Sequence, residues 1–239
     1  MSNNKQITLY EYELSPYVHR VTIALKEAQL PYKTYEVLAL GAPKPDWYLE
    51  KINPKGLIPA ITYGGPDVPG DQPSPEATVV IESPIILEFI SDLCPEANLM
   101  PTNPVAHAKV RLFIDSIDSY FDKTFVGFVA KGESYTTVLD GLREVQKLLP
   151  DPSAGKWAIG EQFTIADAAF APFIARIDTC CKAGYGSYAK GEDRLLLDSL
   201  ESPEFTRIKA YIANLYDRPS FKATFNGDYI VNELKRRLA

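Results

Sequence analysis

The sequence predicts a two-part chain, an α/β unit with a mixed four-stranded sheet followed by an all-helical unit. Strand-like and helix-like segments alternate as far as Leu99, and beyond Pro101 only helical periodicity remains. Pro101 and Pro104 bracket a short join between the two patterns, so the expected units are residues 1–99 and 104–239. No internal repeat is visible.

Ile7-Thr8-Leu9-Tyr10-Glu11-Tyr12 carries β-branched and aromatic residues in alternation and reads as a strand. Pro16 opens an amphipathic helix through Val18, Val21, Ile23-Ala24-Leu25 and Ala28; proline suits the first helical position, where its missing N–H has no intrahelical partner. Lys33–Val37 is a second strand, parallel to the first through a right-handed crossover. A short helix follows from Pro45 to Lys51, then strands at Leu57–Ile61 and Thr78–Ile81. Between those strands the Gly- and Pro-rich stretch Gly64–Pro75 must be a surface loop. Ser83-Pro84 starts a helix to about Leu93.

In the second unit, Val110, Phe113, Ile114, Ile117, Phe121, Phe125 and Phe128 recur at spacings of three and four, one face of a long helix. Leu139, Leu142, Val145 and Leu148-Leu149 mark another. The run Ala166, Ala169-Phe170, Phe173-Ile174 and Ile177 is apolar all round, which predicts a central buried helix. Ile208, Tyr211-Ile212 and Leu215 form one more, stopped at Arg218-Pro219.

Composition narrows the function. The net charge of −6, without a long basic patch, disfavours nucleic acid as a partner. No apolar run is long enough to span a bilayer, and Met1–Gln6 has no apolar leader, so a cytoplasmic protein without a membrane partner is expected. Cys94, Cys180 and Cys181 are odd in number and lack Cys-x-x-Cys spacing; neither a disulfide framework nor a zinc site is expected, and no metal. His19 and His107 show no base or ligand arrangement and are assigned to solvated helix faces.

Four short motifs stand out in order: Ser15-Pro16-Tyr17, Asn53-Pro54-Lys55-Gly56-Leu57-Ile58-Pro59, Glu82-Ser83 and Phe163-Thr164-Ile165-Ala166-Asp167. Ser15 precedes a helix start, where unpaired N–H groups and the helix dipole make a locally positive spot. A hydroxyl there can donate a hydrogen bond to an anionic sulfur. Thr164 and Asp167 form a Thr-x-x-Asp cap ahead of the buried helix, a structural device rather than a catalytic pair.

With these motifs in register over nearly its whole length, the sequence resembles the cytosolic glutathione transferases, a thioredoxin-like domain followed by a helical one. Lys44-Pro45-Asp46-Trp47 gives it an omega-like wording, but Ser15 stands where that class usually has cysteine, as in serine variants of fungal omega-like proteins. The resemblance implies glutathione as co-substrate, with Ser15 activating its thiol. It further implies glutathione contacts from Ser15, Tyr17, Lys44, Ile58, Pro59, Glu82 and Ser83, with a cis bond at Ile58-Pro59. Within that set Lys44 would meet the glycyl carboxylate, while Glu82 and Ser83 would hold the γ-glutamyl end.

Tyr17, Phe121, Phe125, Arg176 and Tyr229 are the implied walls of a pocket for hydrophobic aromatic small molecules. A homodimer is implied as well. Without a cysteine at position 15, disulfide exchange with glutathione is expected to be weak or absent. Conjugation to small electrophiles, peroxide reduction by the bound thiolate, ligandin-type storage of aromatic or polyphenolic metabolites, and a non-catalytic structural role all fit the sequence.

Overall fold

The computed structural model describes residues 5–37 and 43–238. It divides into two compact units, residues 1–97 and 98–239. The division falls ahead of Leu99 because residues 98–99 are tied into the second unit: the Leu99 carbonyl accepts from Ile165 N–H at 3.0 Å, and the Gln162 amide donates to the Asn98 carbonyl.

The first unit runs β1 (Ile7–Glu11), α1 (Pro16–Glu27), β2 (Lys33–Glu36), α2 (Asp46–Lys51), β3 (Ala60–Tyr63), β4 (Thr78–Ile81) and α3 (Ser83–Leu93). Its four strands lie in the order β2-β1-β3-β4. β1 pairs with β2 in parallel, while β3 is antiparallel to both β1 and β4. Alternate residues of a strand face opposite sides of the sheet. Tyr63 meets Phe89 of α3 edge-on at 5.2 Å, and α1 packs beside α3. On the other face, Ala60 and Tyr10 enter a cluster with Val37, Ile52 and Tyr48 of α2.

The 64–77 loop covers the part of that second face that α2 leaves open. Tyr10 Oη donates to the Gly70 carbonyl at 3.0 Å, and Lys33 pairs with Asp67. Gly70 lies so close to the Tyr35 ring that an added Cβ would sit 2.3 Å from it. Glycine is required there by proximity rather than by its backbone angles. The loop is thus a covering layer of the sheet.

Two boundaries differ from the sequence reading. β3 begins at Ala60 rather than Leu57, because the Leu57 carbonyl is taken by side chains instead of a neighbouring strand. The long helix expected through Phe128 is broken: α4 (Pro104–Tyr120) gives way to the single turn α5 (Asp122–Phe125) and a π-helical turn at Val126–Ala130. The Thr124 hydroxyl donates to the Tyr120 carbonyl at 2.7 Å, competing with the backbone, and Gly127 follows with its low helix propensity.

The rest of the second unit comprises α6 (Tyr135–Leu148), α7 (Ile165–Lys182), α8 (Glu192–Leu200), α9 (Thr206–Asp217), α10 (Pro219–Thr224) and α11 (Gly227–Leu238). α7 is buried along nearly all its length, as its composition requires. Phe170 sits at its centre, stacked on Tyr211 and edge-on to Phe121. The Thr164–Asp167 capping box opens this helix. Asp167 is wholly buried and accepts from Ala158 N–H (2.8 Å), Thr164 N–H (2.7 Å), the Thr164 hydroxyl (3.1 Å) and Tyr211 Oη (3.0 Å). Among the described residues no helix is long and apolar enough to cross a membrane.

Candidate functional site

The chemistry gathers at two helix starts and one carbonyl of the first unit. Ser15 is the N-cap of α1, in extended conformation (φ −68°, ψ 122°), and its side-chain oxygen accepts from Val18 N–H at 3.4 Å. That bond uses an oxygen lone pair, and a hydroxyl can by its chemistry donate as well as accept. Ser15 is only 2% exposed, so bulk water screens the field of the helix start weakly.

Five residues on, Arg20 is completely buried. Its guanidinium lies 5.3 Å from the Tyr17 ring centroid, and Nη1 donates to Ser83 Oγ at 3.3 Å. One buried cation thereby joins α1, Tyr17 and the start of α3, and adds positive charge beside that start. Arg20 was not singled out from the sequence, although a charge on a helix otherwise filled with Val18, Val21 and Leu25 is a signal. His19 corrects the expectation of a solvated face: it is buried, because α1 is covered on nearly every side.

At the start of α3, Glu82 has φ +71°, a backbone state that favours glycine. Its carboxylate pairs with Lys55 at 2.8 Å on a partly exposed surface. The buried Ser83 hydroxyl accepts from Arg20 and keeps its own hydrogen for donation. Pro84 removes one N–H from the first turn, leaving those of Ser83 and Ile85 as its outward donors.

Between α2 and β3, the Asn53–Pro59 segment folds around the Leu57 carbonyl. Tyr48 Oη donates to it at 2.7 Å and Asn53 Nδ2 at 3.0 Å, while Asn53 Oδ1 accepts from Lys55 N–H at 3.0 Å. Gly56 turns the chain at φ +65°, and the Lys44 stem lies close enough to be 3.4 Å from a Cβ built there. The Ile58-Pro59 bond is cis. Among the described residues the Ile58 N–H has no hydrogen-bond acceptor.

The residues expected to line an aromatic pocket are placed differently from one another. Tyr17 is half-buried beside Arg20. Phe121 is fully buried inside the helical unit, against Phe170 and the α6 backbone at Gly141, and has no surface left to offer a ligand. Phe125 is buried, and Tyr229 is half-buried near the start of α11. Arg176 is 1% exposed, and its Nη1 donates to the Pro172 carbonyl at 2.9 Å. That carbonyl lies one turn earlier in the same helix and supplies part of what the charge needs in an apolar setting. All three cysteines are buried; burial pushes the Cys180 thiol up to about 12 and raises those of Cys94 and Cys181, so none is suited to be a thiolate nucleophile.

The N-terminal domain model of glutathione S-transferases matches residues 14–93, and the C-terminal domain model of the same family matches residues 130–214. The chain belongs to the glutathione S-transferase family. A probable maleylacetoacetate isomerase of Caenorhabditis elegans is 30% identical, over 73% of this chain and 79% of that protein. Two crystal structures from Trametes versicolor lie nearer. Glutathione transferase Omega 1C is 35% identical with a TM-score of 0.89, over 98% of this chain and 97% of that one. Omega 2S, in complex with 2,4-dihydroxybenzophenone, is 38% identical with a TM-score of 0.87, over 97% and 99% respectively.

Glutathione is the co-substrate of this family, and the donors present fit its three parts. The tripeptide needs donors for two carboxylates and a peptide carbonyl, an acceptor for its ammonium, and stabilisation of its sulfur. Donors stand at the α3 start, at Lys44 and at Ile58 N–H, an acidic group at Glu82, and a hydroxyl at the start of α1. Among the described residues no cluster of three or more His, Cys, Asp or Glu could hold a metal ion.

Proposed function

We propose that this glutathione S-transferase works through Ser15: its hydroxyl donates to the glutathione sulfur and holds it as thiolate, which attacks small hydrophobic aromatic electrophiles. The observation that carries the proposal is the placement of the buried Ser15 hydroxyl at the α1 N-cap, where its oxygen accepts from Val18 N–H at the positive end of the helix. An unperturbed thiol, with a pKa of about 8.5, is only about 3% ionised at pH 7. Lowering that pKa by ~2, worth about 2.7 kcal/mol, makes the thiolate the major species. A charge-assisted hydrogen bond of about 1.5–3 kcal/mol together with the helix dipole reaches that size.

In the reaction the thiol proton leaves to solvent, the sulfur forms a bond to the electrophilic carbon, and the leaving group departs with its electron pair. Ser15 keeps its own proton throughout and forms no covalent intermediate. Glu82 and Ser83 hold the γ-glutamyl end, Lys44 the glycyl carboxylate, and the Ile58-Pro59 segment the cysteinyl part. Within the first unit, Tyr17 is the proposed contact of the electrophile. Its aromatic character is supported by the benzophenone bound in the similar Omega 2S structure. Assembly as a homodimer belongs to the same reading.

The test is Ser15→Ala. The bound glutathione thiol, titrated by ultraviolet difference absorbance, should rise in pKa by about 1–2, and kcat/KM for an activated aryl halide should fall about 10–100-fold near neutral pH. Full turnover by this variant at subsaturating glutathione would show that Ser15 has no such role.

A further inference from the structure

We propose that Tyr48 and Asn53 are positioning residues for glutathione: by donating together to the Leu57 carbonyl they fix the Leu57–Ile58 peptide plane and present the Ile58 N–H to the cysteinyl carbonyl of the tripeptide. The inference rests on the glutathione site proposed above and adds to it the groups that aim its central donor.

The geometry follows from one carbonyl. Tyr48 Oη and Asn53 Nδ2 approach the Leu57 oxygen at 2.7 and 3.0 Å, one donor for each lone pair. Tyr48 and Asn53 are 0% and 1% exposed, so the carbonyl is directed into the protein. The following peptide bond is trans, since the cis bond lies one residue later. In a trans peptide the C=O and the next N–H point in opposite directions. With the Leu57 oxygen held inward, the Ile58 N–H must face outward, and among the described residues nothing in the chain accepts it.

Both donors are themselves held. Tyr48 stands on α2, its ring edge-on to Tyr10 at 5.7 Å and to Trp47 at 5.8 Å. Asn53 donates its backbone N–H to the Tyr48 carbonyl at 2.9 Å, and its own carbonyl accepts from Gly56 N–H at 2.8 Å. A single aromatic-backed helix end therefore carries both donors. Without them the Leu57 peptide can rotate, and the Ile58 N–H is no longer aimed before the ligand arrives. Neither residue touches the reacting sulfur in this scheme, so the effect belongs in glutathione binding rather than in the chemical step.

The experiment is Tyr48→Phe, which keeps the ring and removes only the hydroxyl. Glutathione Kd by calorimetry and glutathione KM should rise about three- to tenfold. The kcat at saturating glutathione and the KM of the electrophile should stay within about twofold. In the wild type the Ile58 amide resonance should move downfield on addition of glutathione, and in Tyr48→Phe it should move less. Asn53→Ala should weaken glutathione further in the same direction; if that variant does not fold, Tyr48→Phe decides alone. Unchanged glutathione affinity in Tyr48→Phe, or an equal loss in kcat and both KM values together with a lower Tm, overturns the positioning role while leaving the site in place. Failure of the wild type itself to bind glutathione overturns both.

Discussion

Asp167 offers the sharpest test of what holds the helical unit together. Replacing it by alanine leaves two buried N–H groups, those of Ala158 and Thr164, without their acceptor. At about 1–3 kcal/mol for each stranded donor, the loss is roughly 2–6 kcal/mol. Against this stands relief from burying a carboxylate. Burial pushes Asp167 from 3.8 up to about 6, with the four hydrogen bonds pulling the other way. That net rise means that folding costs the ionised form roughly 3 kcal/mol more than it costs the neutral form. The two opposing amounts leave a balance for Asp167→Ala at pH 7 that runs from a gain of about 1 kcal/mol to a deficit of about 3 kcal/mol.

The balance should then move toward deficit on acidification. Because the folded value lies above the unfolded one, the native carboxyl takes up its proton first as pH falls. The stabilisation is complete below 3.8 and is lost as pH rises through 6. Between pH 7 and pH 5 the wild type gains about 1.3 kcal/mol that the variant cannot. Urea unfolding at both pH values measures this. A Trp47→Phe background leaves Trp157 as the reporter, and Trp157 adjoins Ala158 and meets Phe163 edge-on at 5.2 Å. A balance that stays level or moves toward gain from pH 7 to pH 5 would refute the argument, since it would mean that the donors outweigh burial.

Ser15→Cys should introduce exchange with glutathione disulfide, visible as a mixed disulfide by mass spectrometry and absent from the wild type; equal exchange in both proteins sinks the serine assignment. Gly70→Ala should lower stability by about 1–3 kcal/mol in thermal melts, because its Cβ would meet the Tyr35 ring at 2.3 Å. Tyr10→Phe, which removes the bond to the Gly70 carbonyl, should cost about 0.5–1.5 kcal/mol. A Gly70→Ala melt matching the wild type would mean that the loop does not pack on the sheet.

The first unit was legible because its signals are local. Pro16 and Pro84 mark helix starts, β-branched runs mark strands, and the Thr78–Ile81 strand and Ser83–Leu93 helix lie where the pattern predicts them. The helical unit was legible in its most apolar helix, α7, and in its capping box. α8 and α10 escaped notice because they are short and bury few residues, whereas α11 does carry a helical pattern, Ile230, Val231 and Leu234 buried beside Lys235, Arg236 and Arg237. The break after Tyr120 escaped because hydrophobic spacing runs on across it; the competition comes from the Thr124 hydroxyl, which no periodicity records.

At the candidate site, the residues named from motifs, Ser15, Ile58, Glu82 and Ser83, are those proposed to meet the ligand. Those that hold them, Arg20 bonded to Ser83 and Tyr48 and Asn53 bonded to the Leu57 carbonyl, are tied to residues up to sixty-three positions away. A sequence shows such a group only as a misplaced charge or an unexplained aromatic. Phe121 is the converse case: its spacing suits a pocket wall and a core residue equally, and only its packing against Phe170 separates the two.

The backbone at residue 82 carries a design consequence. With φ at +71°, glycine would relieve about 1 kcal/mol or more of local strain there, yet the chain carries glutamate. Screens that select variants for heat tolerance would tend to enrich glycine at this position. They would discard with it the carboxylate that pairs with Lys55 and that is proposed to meet the ammonium of glutathione.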